Sequence, residues 1–215
     1  MAAENDVLNK IKEAREKGKK RKFSQTFDLV ISLAGVDLKK PENRLNLDFL
    51  LPEGRGKSIK VALIADSLTA AAKDVVDLLI RKEEIDALSK DVKRLKSLAR
   101  EYDSFFGEIS LMPLIGKTLG QVLGPLGKMP KPVPTNANIK AFTEAARKTI
   151  KIRVTTTPVI HTIVGSEDMN DEKIEANANA LVNFVRDKLP KGRNNIKAVY
   201  IKLTMGPAIK LPLKL

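Results

Sequence analysis

The strongest constraint on the fold of this chain is a difference in strand pattern between its middle and its two ends. Apolar and polar positions alternate at about residues 26–36 and again at 196–204, whereas residues 61–65 (VALIA) are continuously apolar. Alternation is typical of a sheet with one buried and one exposed face, and an unbroken apolar run is typical of a parallel strand covered on both faces. The ends therefore predict one α+β domain, interrupted by an inserted α/β domain.

The middle of the chain also alternates strand patterns with helix patterns. Besides residues 61–65, the predicted elements are strands at 75–80 and 103–109 and helices at 67–74, 82–101, 110–123 and 138–148, the last with Ile139, Phe142 and Ala146 on one stripe. Such alternation indicates a small doubly wound α/β unit. Residues 113–134 contain nine Gly or Pro, and this content predicts that the tract is mostly loop.

Both ends of the chain supply further elements of the α+β domain. A short helix is predicted between a cap at Asn5 or Asp6 and Gly18, and a second strand at 45–51. An amphipathic helix follows Asn170, and its predicted buried face carries Ile174, Ala178, Leu181, Val182, Val185 and Leu189. Strands are also predicted around 150–155 and 159–164, with a final strand at 196–204.

The charge of the chain favours a polyanionic partner. There are 39 Lys and Arg against 26 Asp and Glu, a net charge of +13, and residues 17–22 read KGKKRK. Clustered cations displace the counterions of nucleic acid, so RNA or DNA is the favoured partner class. The alternative readings are a basic protein without such a partner and, for KGKKRK, a solvated helix end that the helix dipole favours.

Several classes of site are disfavoured by what the sequence lacks. It has no Cys and a single His, which excludes a Cys nucleophile, Cys-based metal sites and sites with two His. Gly116-Lys117-Thr118 has Leu111 where a phosphate-binding loop needs Gly, and Gly127-Lys128 is followed by Met129. No apolar run reaches 18 residues, and the first 20 residues contain no signal-type apolar region. We therefore expect a cytoplasmic protein without cofactor, metal, membrane contact or enzymatic activity. The alternative is a nucleotide-dependent α/β enzyme acting on RNA.

Four stretches, in order along the chain, resemble the ribosomal protein L1 family. They are RKFSQTFDLVISL from Arg21, LGQVLGPLGKMPKPVP from Leu119, VIHTIVG from Val159 and VYIKLTMGP from Val199. The resemblance covers essentially the whole chain, and KMPKPVP is similar to the archaeal branch. It implies a discontinuous, RNA-binding split β-α-β domain (1–66 plus 156–215) and an inserted Rossmann-like three-layer α/β domain (67–155).

The resemblance also implies a function and a set of contact residues. Such a protein is monomeric when free and binds large-subunit ribosomal RNA of the mobile stalk near the exit site. It assists release of deacylated tRNA from that site, and it represses translation by binding its own operon mRNA. Carried over by motif, the implied RNA-contacting residues are Lys22, Phe23, Thr26, His161, Lys202, Thr204, Met205 and Gly206. Many bacterial members have Thr where this chain has Lys202 and Leu203, so contacts there are expected to differ.

Overall fold

The computed structural model describes residues 4–40, 43–68, 72, 75–135 and 138–212. The chain divides into two compact units, of which the first combines Met1–Lys57 with Lys148–Leu215 and the second is Ser58–Arg147. The bounds differ from the expected ones at both crossings. Residues 58–66 belong to the second unit because the strand at 61–64 pairs with two strands of the second unit's sheet. Residues 148–155 belong to the first unit because the strand at 149–153 pairs with residues 46–50.

The first unit is built on an antiparallel sheet. Its elements are α1 (Glu4–Lys17), β1 (Thr26–Leu33), β2 (Asn46–Leu50), β7 (Thr149–Arg153), β8 (Val159–Ser166), α7 (Asp171–Lys188), β9 (Ile196–Leu203) and β10 (Ile209–Leu211). The main sheet has the order β10-β9-β1-β8, and β2 pairs with β7 in a separate two-stranded sheet. Strand β10 was not predicted, and α1 begins at Glu4, before both predicted caps.

The core of the first unit lies on one face of the main sheet. Alternate residues of β1 and β9, such as Leu29 and Ile201, are buried against α1 and α7. The predicted buried face of α7 is confirmed in full, from Ile174 to Leu189. Asn177, fully buried on α7, donates to the carbonyls of Gly54 and Val164, both at 2.8 Å. The opposite face of the sheet is half-exposed.

The second unit is built on a four-stranded parallel sheet of order β4-β3-β5-β6. Its elements are β3 (Val61–Ile64), β4 (Leu78–Ile80), α2 (Lys82–Lys90), α3 (Val92–Glu101), β5 (Ser104–Glu108), α4 (Met112–Thr118), α5 (Gly120–Leu123), β6 (Lys131–Val133) and α6 (Ile139–Lys148), with a short 3₁₀ turn at Ile109–Leu111. Every residue of β3 is buried. Ala62 and Ile64 join one apolar cluster, and Val61 and Leu63 join another, so β3 is covered on both faces as predicted.

Four sequence predictions for the second unit need correction. The helix predicted at 110–123 is confirmed as the two short helices α4 and α5, on which Ile115 and Leu123 are fully buried, so the predicted loop at 113–134 is too long: it is limited mainly to residues 124–130. On α6, Phe142 is 40% exposed and Thr143 is buried in the stripe instead. Strand β4 starts at Leu78 rather than at residue 75, and residues 82–101 form two helices that meet at Asp91. The helix predicted at 67–74 lies largely outside the described residues.

Candidate nucleic-acid interface

The turn that follows β9 is fastened to the first residue of β1. Thr26 N–H donates to Thr204 Oγ1 at 3.1 Å, and the two threonine hydroxyls lie 2.9 Å apart. The backbone adds a further bond, from Thr204 N–H to the carbonyl of Thr26 at 3.0 Å. The Thr204 hydroxyl is therefore engaged inside the protein, and its first role is to fix the turn.

A buried glutamine connects this turn to the basic run. Gln25 is 1% exposed; its Nε2 donates to the Lys19 carbonyl, and its Oε1 accepts from Met205 N–H, both at 3.1 Å. Its backbone N–H also donates to Glu167 Oε2 at 3.1 Å. Sequence reasoning missed Gln25, because a glutamine before a strand carries no signal of partners more than 140 residues away. We call the surface formed by residues 19–26 and 204–206 the β1–β9 edge.

The β1–β9 edge presents cations and apolar side chains to solvent. Lys19 to Lys22 are all exposed. Phe23 and Met205, two large apolar residues of the same edge, are 53% and 58% exposed. Gly206 has no left-handed φ, but a Cβ there would lie 3.1 Å from Leu203 Cβ, so the backbone packs closely. Cations beside exposed apolar groups suit a partner with phosphates and unstacked bases.

The half-exposed face of the main sheet holds the other predicted residues. His161 on β8 lies opposite Val30 of β1, and Lys202 on β9 lies opposite Asp28. His161 is exposed, whereas Lys202 is half-buried and donates from Nζ to the Thr204 carbonyl at 2.9 Å. The pKa of the Asp28 carboxyl is raised, mainly by burial, while the Thr26 hydroxyl, Lys202 and His161 act in the opposite direction.

The structure thus collects the eight predicted residues in the first unit. Thr26 contacts Thr204 directly, and Lys202 reaches the same turn. Gln25 connects two segments through its side chain. One is the basic run that contains Lys22 and Phe23, and the other is the turn that contains Met205 and Gly206. His161 lies two strands from Lys202 on the same sheet face. The arrangement forms one continuous candidate surface.

The second unit contains a buried carboxylate where doubly wound sheets usually bind nucleotides. That place is the carboxyl edge between the strands at which the order reverses, here β3 and β5. Glu108, 3% exposed, accepts hydrogen bonds there from Asp66 N–H (3.0 Å), Ser67 N–H (3.1 Å), the Ser67 hydroxyl (2.7 Å) and the Ser110 hydroxyl (2.9 Å). These bonds, led by Asp66 N–H, lower its pKa to about 2. The donors that would hold a phosphate are already used, which argues against the nucleotide-dependent alternative.

The described residues offer neither a metal site nor a membrane-spanning helix. No group of three or more His, Asp or Glu residues within this part of the chain is arranged to hold a metal ion. Within the same residues, no helix combines the length and apolar character needed to cross a bilayer.

Comparison with known proteins identifies the family. Residues 11–207 match the model described as the ribosomal protein L1p/L10e family, a family of ribosomal proteins rather than enzymes. The chain is 46% identical over 206 residues to the large ribosomal subunit protein uL1 of Methanocaldococcus jannaschii, covering 95% of this chain and 94% of the relative. The protein of the same name from Methanothermobacter thermautotrophicus is 42% identical over 210 residues, covering 97% and 99%. That of Thermococcus kodakarensis is 44% identical over 207 residues, covering 95% and 96%. The chain belongs to the ribosomal protein L1 family.

Proposed function

We propose that this protein is a component of the large ribosomal subunit and that its first unit binds large-subunit ribosomal RNA. The observation that carries the proposal is the β1–β9 edge, where Gln25 links an exposed basic run to a closely packed turn. The names of the archaeal relatives support the assignment to the large subunit. The net charge of +13 supports a polyanionic ligand.

The residues of the edge differ in what they contribute to binding. Lys22 is exposed, so it is available to contact phosphate and give affinity without sequence preference. Phe23 and Met205 offer apolar area on which an unstacked base or a ribose can pack. Thr26, Thr204 and Gly206 hold the backbone of the turn in place for close approach. His161 and Lys202 extend the surface onto the sheet face.

The resemblance supports a more specific role within the ribosome. We infer that the RNA is that of the mobile stalk near the exit site, that the protein assists release of deacylated tRNA, and that it represses translation by binding its own mRNA. These roles place the protein in the cytoplasm, on the ribosome. A protein that must bind two RNAs in turn needs one surface that both fit, and the β1–β9 edge is the candidate.

Binding of ribosomal RNA can be tested by measuring affinity for a stalk fragment and for random RNA of equal length over a range of salt. If six to eight phosphates are neutralised, the log–log slope is about −4 to −7. Lys22→Ala lowers both affinities similarly and reduces the slope by about one. The matched control is Lys197→Ala, because Lys197 is an exposed lysine at the opposite end of β9. Equal affinity for both RNAs, or a slope near zero, would refute the proposal.

A further inference from the structure

We propose that Arg15, near the end of α1, is a positioning residue for RNA recognition, which holds the β1–β9 edge in the shape that cognate RNA requires. The inference rests on the proposed RNA-binding function and names a residue outside the set that the resemblance implies. Arg15 acts through residues 167–171, which lead from β8 into α7 and are called the β8–α7 segment below. It needs no contact with RNA itself.

The Arg15 guanidinium fastens the last turn of α1 to the β8–α7 segment. It donates to the backbone carbonyls of Glu167 and Met169, the latter at 3.0 Å. It also donates to Oδ1 of Asp171, from Nε at 3.1 Å and from Nη2 at 2.7 Å. Its Cζ lies 5.2 Å from the centre of the ring of Phe27, a fully buried residue of β1. The planar group is thus held by three acceptor residues and one ring, so α1 fixes the path of the segment.

The β8–α7 segment is in turn fastened to the residues that precede β1. Glu167 N–H donates to the Gln25 carbonyl at 2.8 Å, and Gln25 N–H donates back to Glu167 Oε2 at 3.1 Å. The Gln25 side chain accepts from Met205 N–H at 3.1 Å. A continuous series of hydrogen bonds therefore connects Arg15 with the turn that follows β9, through the segment and the buried glutamine.

Positioning by Arg15 requires a guanidinium and not only a positive charge. Acceptors on three residues of one segment need several N–H groups arranged in a plane, which arginine supplies and a lysine ammonium does not. Arg15→Lys therefore keeps the charge but cannot satisfy the same acceptors. The apolar residues of α1, Val7, Ile11 and Ala14, are buried in the core of the first unit. This variant should therefore fold, while the segment and the β1–β9 edge open locally more often.

The test measures the affinity of the full chain for a ribosomal RNA fragment, obtained by nuclease protection with this protein, and for random RNA of equal length. Arg15→Lys should bind the fragment about tenfold more weakly than the natural protein does, whereas affinity for random RNA should stay within about twofold. Arg186→Lys is the matched control, because Arg186 on α7 forms its ion pair with the adjacent Asp187. This control should behave like the natural protein with both RNAs.

Amide hydrogen exchange distinguishes positioning from general destabilisation. In Arg15→Lys, the amides of Glu167 and Met205 should exchange at least about tenfold faster than in the natural protein, while those of Leu29 and Ile201 in the main sheet stay protected. Asp171→Ala, which leaves both carbonyl acceptors in place, should change exchange and fragment affinity in the same direction but less. It carries the test if Arg15→Lys does not fold.

Three results have distinct meanings. An unchanged preference for the fragment together with unchanged exchange at Met205 would refute the positioning role of Arg15. Equal losses of affinity for the fragment and for random RNA, or faster exchange throughout the main sheet, would also refute it, because Arg15 would then only stabilise the fold. Failure of the natural protein to prefer the fragment over random RNA would instead refute the proposed function.

Discussion

Replacing Thr204 by valine should lower both the stability of the protein and its affinity for cognate RNA. Valine keeps the volume of threonine but removes the hydroxyl that accepts from Thr26 N–H and lies 2.9 Å from the Thr26 hydroxyl. A lost hydrogen bond that leaves a half-buried donor unpaired costs about 1–2 kcal/mol. For a chain of this size, such a loss lowers Tm by roughly 2–8 °C.

The effect on RNA follows from displacement of the turn. Met205 and Gly206 lose one of the contacts that fix their backbone, so we expect cognate affinity to fall about tenfold, equivalent to about 1.4 kcal/mol. Affinity for random RNA, which depends on the exposed lysines, should barely change. Melting curves and binding isotherms for the natural protein and the variant measure both effects.

A double-mutant cycle separates the internal role of the hydroxyl from direct contact with RNA. With Thr26→Val as the second change, the two substitutions should be non-additive in Tm, because each removes the same hydroxyl pair. Thr155→Val, at an exposed threonine in the loop before β8, is the control and should change neither quantity. If Thr204→Val weakened RNA binding while Tm stayed unchanged, the hydroxyl would contact RNA directly, and the reasoning from the Thr26 contact would be wrong.

Three further predictions concern buried polar groups and the unit bounds. Glu108→Gln should cost about 2–4 kcal/mol at pH 7, because an amide cannot accept from all four donors. The Glu108 pKa is lowered from 4.5 to about 2, so the stabilisation that its carboxylate provides is present above pH 4.5 and is lost as the pH falls toward 2. Urea unfolding should therefore show the free energies of unfolding of the natural protein and the variant converging over that range. A difference that stays constant with pH would contradict this. Gln25→Met should lower Tm and weaken cognate but not random RNA binding, with exposed Gln121→Met as control; equal losses on both RNAs would argue against a positioning role. A shortened chain that joins residues 1–57 to 148–215 through a short linker should fold and bind RNA. A chain that joins residue 66 to residue 156 instead lacks β7, with buried Ile150, Ile152 and Val154, and should melt at a lower temperature. Equal melting temperatures for the two shortened chains would contradict the observed unit bounds.

The patterns that were predicted correctly depend on neighbouring residues alone. The period of two in β1 and β9 maps directly onto the two faces of the sheet, and the apolar run of β3 maps onto a strand buried on both faces. The spacing of apolar residues in α7 likewise fixes its buried face. In each case, the residues that determine which face is buried lie within one helix or strand, so the local sequence pattern is enough to predict that face.

The loop predicted for residues 113–134 overlapped the helix predicted for 110–123, and the helical prediction is the correct one there because burial outweighs local propensity. Each glycine in a helix costs about 1 kcal/mol relative to alanine, whereas complete burial of a leucine or isoleucine contributes about 1.5–3 kcal/mol. Ile115, Leu119 and Leu123 together therefore stabilise α4 and α5 despite Gly116 and Gly120. Pro132 is tolerated because β6 is an edge strand of its sheet.

The roles of individual polar residues were least accessible from the sequence. The RNA-contacting positions came from resemblance to a family, and their contacts remain a prediction. Gln25 and Glu108 were not singled out, because each is defined by partners distant in sequence, such as Met205 N–H for Gln25 and Asp66 N–H for Glu108. A buried glutamine or glutamate is recognisable only when the donors that satisfy it are known.

The hydrogen bonds of the two units divide their polar groups into those already satisfied and those left for a partner. Glu108 satisfies the donors at the carboxyl edge of the parallel sheet, and Thr26 satisfies the hydroxyl of Thr204. A ligand gains little binding free energy from a polar group whose existing hydrogen bonds inside the protein must first be broken. Under the proposed function, we expect recognition to depend on groups with unused capacity, which among the described residues of the first unit include the exposed lysines and the apolar surfaces of Phe23 and Met205. Because the lysines bind any phosphate, we expect sequence preference to arise from the apolar surfaces, which favour bases that are unpaired.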